Sequence, residues 1–450
     1  MNRQKKFSLS TTQIILLSFL LAILLGSFIL ALPISSATGN AVPYVDALFT
    51  ATTATCVTGL VTVPTFSAWS IFGQIVILLL IQIGGLGVIT VVTGFMLALN
   101  KKMGIGSRLL VQDAFNLNTL SGLSKFIKNI LIGTLIVEGI GALIYMTVFV
   151  PEFGLRGIWI SVFNSISAFC NAGIDIIGDS SLYSYATNPI INLTTSLLIV
   201  LGGIGYVVWW DVIRVIREHK KGLFRHLTLH SKIAITATLA LIFVGGLLIF
   251  IFEYNNPSTI GNLNLFDKIQ VSLFQSITTR TAGFASIPQE NLTGTSSLVS
   301  ILLMIIGGSP VGTAGGIKTV TIVVLLCSAF STIRNKNQAT LFSRAISGDS
   351  IFKAVAVVAS FVLIVFSSAL LLSAATNADF LDVIYESVSA AATVGLSRNF
   401  TTTLNTFGKI IVIATMYLGR IGPITLALAL GNRGENRNIV SEPTEDISIG

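Results

Sequence analysis

The sequence predicts an all-α integral membrane protein built from four repeated helix, pore-loop, helix units around one central pore. Three observations predict it. Charged residues make up 10% of the 450 positions and hydrophobic residues 53%, with a mean hydropathy of +0.86. About a quarter of a soluble chain is charged, so this chain cannot clothe its surface in polar groups unless lipid covers much of it. Eight apolar runs are long enough to cross a hydrocarbon core about 30 Å thick. Between them, glycine-ended segments recur at intervals of 114, 110 and 112 residues.

The first run, Gln13 to Leu32, follows Arg3, Lys5 and Lys6, as a signal peptide would. Its 20 residues exceed the usual apolar signal core of about 7 to 15 and suffice for a span. Further runs lie at Ile71 to Leu99, Ile130 to Val150, Ile190 to Ile213, Ile233 to Phe252, Leu298 to Phe330 with an interruption, Ala354 to Ala375 and Ile410 to Leu430. Basic residues near helix ends stay in the cytoplasm. Of 27 Lys and Arg, 20 fall in the N-terminus, in 100–129, 211–232 and 331–353, and in the tail at Arg433 and Arg437. All these segments belong on one side, so both termini are expected in the cytoplasm. The units expected are 1–100, 101–214, 215–334 and 335–432, followed by a tail at 433–450.

The net charge of +8 is therefore a topology signal. No basic stretch is interleaved with aromatics, so nucleic acid is not an expected partner; anionic lipid or an acidic protein could meet the basic face. Cys56, Cys170 and Cys327 have neither metal-ligand nor disulfide spacing. His219, His226 and His230 cluster in a basic loop with no metal-ligand spacing to acidic or thiol partners, so neither enzyme chemistry nor a metal centre is expected there.

The repeated segments read Phe49 to Gly59, Phe163 to Gly173, Phe274 to Gly283 and Tyr385 to Gly395. Each opens on an aromatic, continues with a polar residue and Ala or Ser, and ends on glycine before an apolar residue, Leu60, Ile174, Phe284 or Leu396. A second mark follows at Gly84-Gly85, Gly202-Gly203, Gly307-Gly308 and Gly419-Arg420, which is 25, 29, 24 and 24 residues on. Each segment offers about ten residues of helix, roughly 15 Å, or half the core. Such a segment must return to the side it entered from, and its irregular backbone is tolerated only along a protein-lined path.

The segment ends, Val57-Thr58-Gly59, Asn171-Ala172-Gly173, Thr281-Ala282-Gly283 and Thr393-Val394-Gly395, share small residues and a glycine that adopts positive φ at little cost. They offer no ring of carboxylates. Carbonyl oxygens turned to a common axis can replace the hydration shell of a monovalent cation, and helix C-termini pointing at that axis favour positive charge.

Gly307 to Lys318 reads GGSPVGTAGGIK. Gly307, Gly308, Gly312, Gly315, Gly316 and Pro310 cannot continue a helix. Ile317 parts Gly316 from Lys318, so the segment is no phosphate-binding loop. With Ser309, Thr313 and Ala314 it is expected to form a mobile intramembrane loop beneath the pore segments, acting as a gate. Arg420 takes the place of a glycine in the middle of the last expected span. An unpaired arginine there costs about 2.5 to 3.5 kcal/mol, so it should face the pore or a partner as a fixed charge opposing ion passage. Arg280 is expected to brace the third pore segment against Glu386. Asp175 either draws cations to the outer mouth or is a solvated loop residue.

Through the four glycines, the GGSPVGTAGG segment and the late arginine, the whole chain resembles the membrane subunits of the Trk/Ktr/HKT superfamily of potassium transporters, whose subunits are similar to four fused two-helix potassium channels. Only Thr393-Val394-Gly395 keeps the first three letters of the channel signature TVGYG. The resemblance implies potassium at the four segment ends. It implies potassium preference too, because sodium-favouring plant members have a serine at the first glycine. Also implied are a gate loop at Gly307 to Lys318, a homodimer in a bacterial plasma membrane, a cytoplasmic RCK-type ring that carries the nucleotide, and an influence of sodium. Asp211 to Lys232, the longest polar cytoplasmic stretch, is 22 residues, too short for a nucleotide-binding domain, so transport should run down electrochemical gradients. Two rivals are a repeat-built secondary transporter of organic or anionic solutes, disfavoured by helix C-termini at the centre, and a non-conducting assembly subunit.

Overall fold

The computed structural model describes residues 10–99, 104–114, 122–178, 180–218, 222–336 and 338–422. The expected tail at 433–450, with Arg433 and Arg437, lies outside the described residues, as do Arg3, Lys5, Lys6, Lys101, Lys102, His219, Lys220 and Lys221. Apart from a two-stranded hairpin pairing Thr340–Leu341 with Arg344–Ala345, the regular structure is helical.

Four outer helices, Thr11–Leu30, Leu123–Phe153, Leu229–Glu253 and Gly348–Ala375, are 20 to 31 residues long. At 1.5 Å per residue, each reaches about 30 Å or more. Only 22–33% of the most apolar window of each is buried within the molecule. The rest, including Leu21, Leu135, Phe243 and Leu363, needs hydrocarbon around it.

Each outer helix is followed by a short pore helix: Tyr44–Cys56, Leu155–Cys170, Leu265–Thr278 and Phe380–Ala392. At 13 to 16 residues they exceed the ten or so expected. The extra turn lies ahead of the opening aromatic, where Val45, Ile160, Val271 and Leu381 add apolar residues.

Inner helices follow at Ile71–Leu86, Pro189–Gly203, Gly294–Ile305 and Thr406–Ile421. Each starts on a side-chain cap, from Ser70, Asn188, Thr293 and Asn405 respectively, which satisfies an orphan backbone amide. Two of the apolar runs expected to span, Ile71 to Leu99 and Ile190 to Ile213, are each bent at a glycine. Helices Ile71–Leu86 and Val88–Ala98 meet at 96°, and Pro189–Gly203 and Tyr206–Glu218 at 95°. Gly87 and Gly205 turn these corners at φ 85° and 93°, a region open to glycine and costly for other residues. In the second repeat the freed amide of Tyr206 donates to the Val311 carbonyl of the broken third repeat, at 3.1 Å. The described part of the fourth inner helix is Thr406–Ile421, with Arg420 in its last turn; the rest of the expected span, from 423 on, lies outside the described residues.

The repeats close into a ring. Lys409 of the fourth inner helix pairs with Asp46 of the first pore helix at 2.6 Å, and the Tyr417 hydroxyl donates to the Leu16 carbonyl of the first outer helix at 3.0 Å. The second glycine mark now has a cause. A Cβ on Gly84, Gly202 or Gly419 would collide with the carbonyl of Thr55, Phe169 or Ala391, each four residues before its pore-segment glycine. Inner helices thus ride directly on the backbone of the pore helices.

Gly202→Ala should therefore cost about 1–3 kcal/mol by overpacking. Gly139→Ala, on the second outer helix with nothing within 4 Å of its Cβ, should be neutral or stabilising by up to about 1 kcal/mol. Thermal unfolding of the two detergent-solubilised variants checks this; equal midpoints would refute the contact argument.

Candidate functional site

The four pore segments meet at one axis. In each, the residue two before the glycine is left-handed, with φ 56° at Val57, 59° at Asn171, 64° at Thr281 and 52° at Thr393. The glycine is left-handed too, at 97° for Gly59, 63° for Gly173, 82° for Gly283 and 95° for Gly395. Thr58, Ala172, Ala282 and Val394 lie between. A Cβ on Gly59 would fall 2.6 Å from the Ala172 oxygen, on Gly173 2.5 Å from that of Ala282, and on Gly283 2.5 Å from that of Val394. On Gly395 it would strike the Thr58 oxygen, which closes the circuit. Every glycine thus faces the carbonyl of the next repeat, and no side chain fits at any of the four.

The segments are braced by hydroxyls that our sequence reading passed over. Thr53 accepts from the Gly59 amide at 2.9 Å and Ser389 from the Gly395 amide at 3.1 Å. Ser167 accepts from the Ile174 amide at 3.1 Å and donates to the same residue's carbonyl at 2.5 Å; Thr278 donates to the Phe284 carbonyl at 2.6 Å. All four stand four residues after the opening aromatic, a signal present in the sequence. Backbone bonds add to the brace where the amides of Thr58, Ala172 and Val394 donate to the carbonyls of Thr53, Ser167 and Ser389 at 2.8 Å. The third repeat, one residue shorter, uses Ala282 to Thr278 at 3.0 Å instead.

Above the ring lies a basin of about 350 Å³ touched by Gly59, Gly173, Gly283 and Gly395 and bearing the carboxylates of Asp175 and Glu290, with no Lys or Arg in its lining among the described residues. Asp175 keeps a face on the basin, while burial of its carboxyl pushes the pKa up to about 6 against the opposing bonds from Ser181 and the Ile177 amide. Glu386 does not meet Arg280 as expected. Its carboxylate accepts from Ser397 at 2.7 Å and Thr401 at 2.5 Å, bracing the stretch after the fourth glycine. The Arg280 guanidinium instead reaches the Gly307 carbonyl at 3.3 Å and the Thr238 hydroxyl at 3.4 Å, because the third pore segment ends beside the broken helix of its own repeat.

Beneath the ring, Gly307 to Lys318 forms a loop inside the protein. A Cβ on Gly315 would lie 2.7 Å from the Ala392 oxygen and would overlap the Thr393 hydroxyl, so the loop touches the underside of the fourth segment. The amides of Ser309 and Thr313 donate to the Gly203 and Gly202 carbonyls at 2.8 and 3.1 Å. Ser309 and Thr319 share a hydroxyl bond of 3.0 Å, and Thr313 donates to the Phe169 carbonyl at 3.2 Å. Gly307 closes the loop by donating to the Ile317 carbonyl at 3.0 Å. Pro310 precedes left-handed Val311, and Gly312 packs against the Gly202 and Gly203 carbonyls. Arg420 donates to the Thr313 carbonyl of this loop and to the Gly84 carbonyl of the first inner helix, both at 2.5 Å. Lys318 donates to the Ala314 carbonyl at 2.6 Å. Both cations line a cavity of about 300 Å³ with Gly315 and Gly316, which pack on Gly307, and among the described residues no acidic one lines it. The arrangement offers a carbonyl ring with carboxylates on one side and fixed positive charge on the other.

A family model described as TrkH, cation transport protein, matches residues 3–438. The chain is 40% identical over 428 residues to the Ktr system potassium uptake protein B of Bacillus subtilis, covering 95% of this chain and 94% of that one. It is 36% identical over 463 residues to the potassium/sodium uptake protein NtpJ of Enterococcus hirae, covering 100% and 99%. The solved potassium transporter TrkH from Vibrio parahaemolyticus shares the fold, with a TM-score of 0.76 at 16% identity over 96% of this chain and 87% of the other.

The outer basin should change charge with pH. A carboxyl with a pKa raised to about 6 is mostly protonated at pH 5 and ionised at pH 7.5, so the basin loses negative charge on acidification. Infrared difference titration of the protein against Asp175→Asn should give a carboxyl midpoint near 6; a midpoint near 4, the value of a solvated Asp, would refute burial of the group.

Proposed function

Because the chain belongs to the TrkH family of cation transport proteins, we propose that it carries potassium into the cell through the four-glycine ring, gated by the Gly307 to Lys318 loop. The observation that carries this reading is the closed circuit of glycine and carbonyl, in which each repeat supplies a left-handed glycine against its neighbour's oxygen. A cation shedding water there trades hydration for the oxygens of Thr58, Ala172, Ala282 and Val394. The pore helices end at Cys56, Cys170 and Ala392, directly before their segments, and at Thr278, two residues short of Thr281, and add the negative ends of their dipoles. Asp175 and Glu290 raise the cation concentration at the mouth. A membrane potential supplies about 2.3 kcal/mol per inward monovalent charge for each 100 mV.

In this reading Arg420 is a latch. Its guanidinium clamps the loop at Thr313 to the first inner helix at Gly84, so loop and fixed charge together oppose a cation arriving from the ring. Opening requires that clamp to break. We assign the opening force to a cytoplasmic RCK-type nucleotide-binding ring, since several relatives are named as Ktr system proteins. The working assembly is a homodimer on that ring in a bacterial plasma membrane, with both termini cytoplasmic, and sodium acts as a second ion, in keeping with a relative named for both.

Growth of a potassium-uptake-deficient bacterium on low potassium should be restored by this chain. Gly59→Ser should weaken the preference for potassium over sodium, because a Cβ there meets the Ala172 oxygen. Full rescue with unchanged ion preference would sink the ring as the selective element. Arg420→Ala should raise resting flux per molecule; reduced protein yield with flux unaltered would remove the latch.

A further inference from the structure

Glu138 lies in the second outer helix and is only 4% exposed. An ionisable residue at such a position is costly, and among the described residues it makes no ion pair. Its carboxylate accepts from the Gln82 amide through both oxygens, at 3.2 and 3.3 Å. The Cys170 thiol stands 3.7 Å from the Gln82 oxygen and 3.9 Å from a Glu138 oxygen. Ser165 of the second pore helix donates to the Glu138 carbonyl at 2.6 Å, fixing that helix against the outer one.

The two neighbours lead to the two ends of the latch. Gln82 stands two residues before Gly84, whose carbonyl receives Arg420. Cys170 ends the second pore helix and adjoins Asn171, whose amide lies 3.3 Å from the hydroxyl of Thr313. The Thr313 carbonyl is the other acceptor of Arg420. One buried carboxyl therefore ties together the first inner helix and the second pore segment, the two supports that carry the oxygens clamped by Arg420.

We propose that Glu138 is a positioning residue for the Arg420 latch, setting through Gln82 and Cys170 the separation of the Gly84 and Thr313 carbonyls. The inference rests on the reading of Arg420 as a latch. Losing the acceptor lets the first inner helix move relative to the second pore helix, and a guanidinium that must reach both oxygens at once then holds only one. Glu138 touches neither the ring nor the ion path, so ion preference is untouched.

The test measures resting potassium flux and the potassium-to-sodium ratio in proteoliposomes for Glu138→Ala, Glu138→Gln, Arg420→Ala and the Glu138→Ala/Arg420→Ala double variant. Glu138→Ala should raise resting flux about tenfold, the order expected when a hydrogen bond to a charged group is lost from one state only. The ion ratio should stay unchanged. Glu138→Gln, which keeps an acceptor oxygen, should fall within about twofold of the unaltered protein. In the Arg420→Ala background Glu138→Ala should add nothing, since residues acting through one contact are non-additive. The proposal is overturned if folded Glu138→Ala has unaltered flux, or if it raises flux by the same factor with and without Arg420. No effect of Arg420→Ala by itself would instead remove the latch. Should Glu138→Ala fail to fold, Gln82→Leu cuts the same link from the other side and must give the same pattern.

Discussion

Everything in this molecule is arranged around one steric constraint: four stretches of backbone meet at a separation that leaves no room for a Cβ. To bring them so close, each pore helix must end on the axis and be held by its own hydroxyl, as Thr53, Ser167, Thr278 and Ser389 do. The inner helices must then lie against the pore helices without side chains between them, which is what Gly84, Gly202 and Gly419 permit. The outer helices are freer, meeting lipid over most of their apolar length.

That constraint also explains what was legible in the sequence. The ring was readable because positive φ and close approach both demand glycine, so Gly59, Gly173, Gly283 and Gly395 could be aligned by residue type alone. The outer helices were readable from apolar length. The bends at Gly87 and Gly205 were hidden because the residues on both sides, Leu86 and Val88 or Ile204 and Tyr206, are as apolar as the spans themselves. Apolarity records contact with hydrocarbon or protein; it does not record direction. The Glu386 pairing failed for a related reason, since the sequence offers an acid and a base near one axis but not that Ser397 and Thr401 meet the one and Thr238 and Gly307 the other.

Charge is used sparingly and asymmetrically along the axis. Among the described residues the outer basin holds carboxylates and no cation, while the inner cavity holds Arg420 and Lys318 and no carboxylate. Each inner cation is met by backbone carbonyls, which attract without neutralising. The Arg420 guanidinium, which a protein does not deprotonate, thereby stays a net positive charge in a poorly solvated place, and its influence on a passing ion is only weakly screened. A carboxylate partner would have stabilised the arginine and erased its field.

The single chain carries a further consequence. A ring assembled from four identical polypeptides would repeat every residue four times, and an arginine at the position of Arg420 would bring four guanidinium groups into one narrow passage. Two unit charges about 8 Å apart repel by about 2 kcal/mol at an effective dielectric near 20, and four would hold several such pairs. Fusing the quarters into one polypeptide frees each to drift from the others. Here the third quarter has its inner helix broken by a loop after Ile305 and is one residue short in its pore segment, and the fourth has exchanged a glycine for a cation. Near-symmetry at the ring coexists with division of labour just below it, an option closed to a homotetramer.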